Sequence, residues 1–186
     1  MSAFFLSLLG AFLPGLWSRS TQGTVQYLWD LGDPTARLAT SLAIAAITAA
    51  IAAAAGSVIG ATLSNNARGM FVAICLIIAA VELGWPGRES LTGEPTHSWG
   101  AFSLVTLFRQ QTDAARLLVA ACAAYFAYPV LAALGGAIGG AASLVLAWSW
   151  RKQFDASARW RPLRWGLAAA FAITGIAIGL SVRQIT

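Results

Sequence analysis

Five charged side chains lie inside long apolar stretches of this sequence and are the first candidates for a functional site. They are Arg19, Glu82, Arg109, Asp113 and Arg116. If these stretches cross a membrane, each buried charge costs about 3 kcal/mol on insertion scales, so such a residue usually binds an ion, relays a proton or pairs with another buried group.

The spacing of three of these residues predicts a charge cluster. Arg109 precedes Asp113 by four residues and Arg116 follows it by three, so all three share one face of a continuous helix. A carboxylate held between two guanidinium groups stays ionised and is saturated with hydrogen-bond donors. We expect a salt-bridged cluster that fixes helix packing or contacts a partner subunit. The alternatives are a proton relay or ion site, and an anionic lipid headgroup bound by the guanidinium groups.

The remaining candidate ligands predict no metal site and no other cofactor. Glu82 lies about one turn from the end of an apolar run, where its side chain can reach the membrane interface. His97 has no second histidine and no nearby cysteine, so we do not expect it to be a metal ligand. Cys75 and Cys122 lie in apolar runs and are interpreted as small core residues.

The composition predicts an integral membrane protein. The chain has 186 residues, of which 58% are hydrophobic and 10% charged, whereas a soluble domain has about 25% charged residues. The formal net charge of +5 is spread thinly, so no basic face for nucleic acid is expected. Nucleophile-elbow, phosphate-loop and haem motifs are absent from the sequence and its loops are short, so we do not expect an enzyme.

The apolar pattern predicts an all-α protein of about six transmembrane helices. Three runs, 38–63, 69–85 and 163–180, are long enough to cross a hydrocarbon core of about 30 Å. The stretch 99–150 is too long for one span, and Pro129 divides it into 99–128 and 129–148. The N-terminal run is interpreted as a broken first span that continues towards Trp29.

The distribution of basic residues predicts the orientation. One side of the membrane receives Arg37, Arg88, Arg151, Lys152, Arg159, Arg161 and Arg164, while the other receives Arg68 and Arg183. Because basic loops stay in the cytoplasm, we expect a bacterial inner-membrane protein with both termini in the periplasm. Aromatic anchors at the interfaces are expected from Trp85, Trp99, Trp148, Trp150 and Trp165.

The predicted spans fall into two sets of three. Residues 1–86 and 99–186 are separated by the polar central loop 87–98, and each half contains a Gly-Ala-Phe sequence, at 10–12 and 100–102. An odd number of spans in each half predicts inverted repeats, an arrangement common in secondary transporters.

This order of features resembles the small six-span cation/proton exchangers that move manganese or calcium and include the eukaryotic Golgi exchanger. That family has the motif Glu-x-Gly-Asp-Lys/Arg-Thr/Ser in each half. The resemblance places the second motif on Gln110, Gln111, Thr112, Asp113, Ala114 and Ala115, so only the aspartate is kept. It places the first on Leu16, Trp17, Ser18, Arg19, Ser20 and Thr21, followed by Gln22, where neither acid is kept.

The resemblance implies that Arg19 stands where the family has a cation-ligating aspartate, and a fixed positive charge there repels the ion. The neutral polar residues of the two windows, Ser18, Thr21, Gln22, Gln110 and Gln111, are expected to form hydrogen bonds between helices, or alternatively to bind a polar solute.

Glycines spaced four residues apart predict close helix packing. The pairs are Gly56 and Gly60, Gly135 and Gly139, Gly136 and Gly140, and Gly175 and Gly179. Small residues at this spacing let helix backbones approach each other in a membrane, and we expect these faces to join the two halves of the chain.

Two functions follow as hypotheses. The first is an exchanger-like protein that has lost its acidic ion site and is a structural or accessory subunit of a larger membrane complex. Its partners would be the lipid bilayer, other membrane subunits and an anionic lipid. The alternative is a manganese or calcium/proton antiporter, in which Asp113 must be accessible from both sides of the membrane in turn.

Overall fold

The computed structural model describes residues 1–30, 34–85, 98–150 and 161–183, and all regular structure within them is helical. The helices are α1 (Ser2–Trp17), α2 (Arg19–Asp30), α3 (Pro34–Thr62), α4 (Asn65–Gly84), α5 (Trp99–Gln111), α6 (Ala114–Phe126), α7 (Pro129–Ser149) and α8 (Arg161–Arg183). Most of the predicted central loop, with Arg88 and His97, and the basic residues Arg151, Lys152 and Arg159 lie outside the described residues.

Four helices, α3, α4, α7 and α8, are long and apolar enough to cross a membrane. Helices α1 and α6 are also apolar but shorter. The prediction of an all-helical membrane protein is therefore confirmed. Six complete spans and an inverted repeat remain predictions.

Two of the predicted spans are broken, each at a residue that caps the following helix. The first is interrupted at Ser18, where the backbone is extended (φ −67°, ψ 147°) between α1 and α2. The second is interrupted at Thr112 and Asp113, and Asp113 is also extended (φ −74°, ψ 140°). Serine and aspartate favour such positions because their side chains accept hydrogen bonds from the free amides of the next helix.

Helix α6 lies at the centre of the bundle, and α1, α3, α4 and α7 pack around it. Most of its residues are buried, and the core around it is built largely from alanine, including Ala53, Ala123 and Ala132. Both thiols are free: Cys75 belongs to an apolar cluster with Leu118, and Cys122 packs beside the alanines.

Glycines set the closest helix contacts. Gly56 and Gly60 of α3 face Ala120 and Ala124 of α6, so these two helices run parallel. Two other glycine pairs also allow two helices to approach closely. Gly135 and Gly139 of α7 contact Phe4 and Leu8 of α1. Gly175 and Gly179 of α8 contact Ala73 of α4. These three contacts connect the first half of the chain with the second. Gly136 and Gly140 instead face Val119 and Arg116 of α6, within the second half.

Candidate functional site at the helix breaks

The two helix breaks meet at one polar pocket. Its polar lining comes from Ser20 and Thr21 of α2, Gln110 of α5, Asp113 at the second break and Arg116 of α6. Gly15, Gly140 and Ser143 complete the wall from α1 and α7. The pocket has room for about one water molecule. Residues from the two motif windows, far apart in the sequence, therefore lie around a single small space.

Asp113 is buried and uses both carboxylate oxygens. Its Oδ1 accepts a hydrogen bond of 3.2 Å from the Ala115 amide, and its Oδ2 accepts one from the Ser20 hydroxyl. The first contact caps α6, and the second joins α6 to α2. The carboxylate thus stabilises the helix break with donors from its own chain.

Ser18 has the same role at the first break that Asp113 has at the second. The Thr21 amide donates to Ser18 Oγ at 3.1 Å, which caps α2, and Ser18 Oγ lies 3.0 Å from Ser20 Oγ. Ser18 is thus the capping residue at the first break, and Arg19 follows it as the first residue of α2. The motif window that aligns Arg19 with Asp113 stays a prediction.

Arg116 is 5% exposed and is held by three acceptors from two other helices. Its Nε donates to Thr48 Oγ1 at 2.9 Å, and its Nη2 donates to the Ala45 carbonyl oxygen at 3.2 Å, both in α3. Its Nη1 donates to the Gly136 carbonyl oxygen of α7 at 3.5 Å. Gly140 makes room for the guanidinium group, since a Cβ at that position would lie 2.9 Å from Nη1 and from Nη2. Arg116 thereby ties three helices together.

The predicted cluster of Arg109, Asp113 and Arg116 does not form as expected. Arg109 belongs to α5, which ends at Gln111, so it does not share a helix with Asp113. Its guanidinium group packs against Gly23 of α2. Within the described residues, Asp113 and Arg116 take separate hydrogen-bond partners rather than a salt bridge. The one-face prediction fails because Asp113 caps a new helix instead of continuing the old one.

Other residues of the motif windows lie outside the pocket. Gln22 and Thr112 are exposed, and Gln111 is partly buried with its Oε1 lacking a hydrogen-bond partner among the described residues. Arg19 begins α2. Gln110, which lines the pocket, forms an interhelical contact of the predicted kind, since its Oε1 accepts a hydrogen bond of 3.3 Å from Thr48 Oγ1.

Glu82 makes a contact between helices that the sequence does not predict. Its Oε2 accepts a hydrogen bond of 2.9 Å from the Ala114 amide at the start of α6, so its carboxylate contacts another helix within the protein. The N-terminus of a helix has free amides and a partial positive charge, both of which attract a carboxylate. Glu82 and Asp113 therefore cap the same helix end.

The chemistry of the pocket differs from that of a divalent-cation site. Calcium takes six to eight oxygen ligands, usually with several carboxylates. The part of the chain that the structure describes has no group of three or more His, Cys, Asp or Glu residues placed to hold a metal. The pocket itself combines one carboxylate with one guanidinium group, so their formal charges cancel. Such a site suits a fixed polar network around a water molecule.

We expect the caps of α6 to depend on shape and acceptor oxygens more than on charge. Asp113→Ala should lower the free energy of unfolding by about 1–2 kcal/mol, the usual value of an N-cap, whereas Asp113→Asn should retain most of it. Thermal unfolding of the purified protein in mild detergent measures both. An asparagine variant as unstable as the alanine variant would show that the negative charge itself is required.

Comparison with known proteins gives no match: no family model, no curated protein and no solved structure is similar to this chain. The geometry of the pocket is therefore the basis for assigning a function.

Proposed function

We propose that this protein is a non-transporting structural or accessory subunit of a larger membrane complex, built on an exchanger-like arrangement of helices that has lost its acidic ion site. The main support is the hydrogen bonding of Arg116 to α3 and α7. This buried cation occupies the pocket where the exchanger family would need negative charge, and its donors bind the chain's own helices.

The hydrogen bonds of the two carboxylates that could bind a cation support the same proposal. Asp113 receives donors from Ser20 and Ala115, and Glu82 receives one from Ala114. A cation entering the pocket would have to displace these donors and would also meet the guanidinium group of Arg116. Each of these changes opposes cation binding.

An exposed apolar face of α8 provides a surface on which such a subunit could contact another membrane protein. Large apolar side chains of α8, including Ile173, Ile176 and Leu180, are more than half exposed, and this helix packs mainly on α4. In a membrane such a face meets lipid or another membrane subunit. We place the protein in the bacterial inner membrane with both termini in the periplasm, on the distribution of its basic residues.

Extraction from the native membrane in mild detergent tests the proposal. The extract is sized, and the proteins that migrate with this chain are quantified by mass spectrometry. We expect a complex larger than a dimer of this chain, with at least one other membrane protein at fixed stoichiometry. Recovery of a monomer or homodimer alone would contradict an accessory role.

A second candidate function, divalent-cation/proton antiport, is supported by one specific observation. Ser20, Gln110 and Asp113 come from both motif windows and line one pocket between broken helices. Secondary transporters use broken helices of this kind to build substrate sites near the middle of the membrane. In that case Asp113→Asn should abolish manganese or calcium flux while the variant remains folded.

A further inference from the structure

Arg37, in the first turn of α3, has a buried side chain, and two of its three guanidinium nitrogens have no hydrogen-bond partner among the described residues. The residue is 6% exposed, and among the described residues neither its Nε nor its Nη1 has a hydrogen-bond partner. A charge removed from water is normally paired, because an unpaired buried ion has a large desolvation cost. An anion beside this guanidinium group would supply the missing partner.

Two aromatic rings fix the position of this guanidinium group. Its Cζ lies 5.4 Å from the ring centre of Trp99 and 5.8 Å from that of Phe102, both in α5. A cation within about 6 Å of a ring centre is attracted to the ring electrons, and this attraction does not use the N–H donors as hydrogen bonds to an acceptor would. Phe102 is buried whereas Trp99 is 45% exposed, so Arg37 lies where the protein interior meets its surroundings.

The local helix ends add positive charge to the same place. Arg37 and Trp99 lie in the first turns of α3 and α5, and neither helix has an acidic residue in that turn. Ser98, the N-cap of α5, forms no side-chain hydrogen bond with the helix. A cation at a helix N-terminus is unfavourable and an anion is favourable, so the two helix ends favour an anion beside Arg37.

We propose that Arg37, supported by Trp99 and Phe102, binds the phosphate group of an anionic phospholipid. A lipid headgroup is the occupant that fits the position, because Arg37 lies near the start of α3, a candidate membrane span, where headgroups are found. This site is separate from the polar pocket and does not depend on the proposed accessory role. It also differs from the lipid site predicted at Arg109 and Arg116, since Arg116 is occupied within the protein.

The test uses the full chain in phosphatidylcholine nanodiscs with increasing amounts of phosphatidylglycerol. Native mass spectrometry counts the bound lipid, and thermal unfolding gives the stability. Arg37→Gln removes the charge, and Arg161→Gln is the matched control because Arg161 is exposed at the start of α8. We expect Arg37→Gln to weaken phosphatidylglycerol binding at least about tenfold, as removal of a charge-assisted hydrogen bond does, and Arg161→Gln to leave it within about twofold.

Stability supplies a readout that is independent of expression level. Without anionic lipid, Arg37→Gln should be as stable as the wild type or more so, because the unpaired charge is gone. Phosphatidylglycerol should then raise the unfolding temperature of the wild type but not that of the variant. Equal lipid binding by wild type and Arg37→Gln, or equal losses in Arg37→Gln and Arg161→Gln, would overturn the site. A wild type stabilised by inorganic phosphate but not by phosphatidylglycerol would overturn the lipid assignment.

Discussion

Arg116→Met should destabilise this protein by at least about 3 kcal/mol, the largest effect that we expect from a single substitution of a polar residue. Each hydrogen bond from a charged group contributes about 1.5–3 kcal/mol, and Arg116 makes such bonds to Thr48, Ala45 and Gly136. Methionine has a similar length but no donors. Since a typical domain is stable by only about 5–15 kcal/mol, we expect a large fall in the yield of folded protein.

Two further variants identify the cause of that loss. Arg116→Lys keeps the charge but has one nitrogen in place of three, so its stability should lie between those of wild type and Arg116→Met. Arg161→Met removes an exposed arginine and should change the free energy of unfolding by less than about 0.5 kcal/mol. Thermal unfolding in detergent, followed by size-exclusion profiles, compares all four proteins. An Arg116→Met protein as stable as the wild type would mean that the guanidinium group does not hold α3, α6 and α7 together.

Gly56→Ala should also be strongly destabilising, by about 1–3 kcal/mol, because the new methyl group meets backbone atoms. A Cβ at Gly56 would overlap the Ala120 carbonyl oxygen and would lie 2.7 Å from Ala120 Cα. Backbone atoms cannot rotate away, so α3 and α6 would have to separate. The same interface contains the bond between Arg116 and Thr48, which would lengthen as well.

Gly166→Ala is the matched control for this substitution. It makes the same chemical change in a membrane-length helix, α8, but a Cβ at Gly166 has nothing within 4 Å. Alanine favours a helix over glycine by about 1 kcal/mol, so this variant should be equal to the wild type or more stable. The two substitutions should therefore change the unfolding temperature in opposite directions. A rise in both would show that α3 and α6 are not in close contact at Gly56.

Local patterns in the sequence were sufficient for much of this architecture. Long apolar runs correctly predict the four helices that are long enough to cross a membrane. For example, α3 over Pro34–Thr62 and α7 over Pro129–Ser149 lie within a few residues of the expected limits. Pro129 begins a helix, as expected for a residue that lacks an amide donor. Five residues of the motif windows, Ser20, Thr21, Gln110, Asp113 and Ala115, line one pocket.

Local sequence patterns do not predict contacts between residues that are far apart in the chain. Glu82 meets the Ala114 amide across 32 residues, and Arg116 meets Thr48 across 68. The hydrophobic periodicity of a single sequence does not identify such pairs of residues, because the pairs depend on how the helices pack against each other. The helix break at Asp113 did have a local signal, since aspartate is a preferred N-cap, but the apolar residues around it favoured one continuous span.

Cation uptake by the purified protein in vesicles tests the central claim, that the pocket is a structural network and not an ion site. The protein is reconstituted at known orientation and density, and uptake of manganese and of calcium is followed in response to a pH gradient. We expect the rate to equal that of protein-free vesicles for both ions, with Asp113→Asn having no effect. Saturable uptake that requires a proton gradient and is lost in Asp113→Asn would contradict the account and establish the protein as an antiporter.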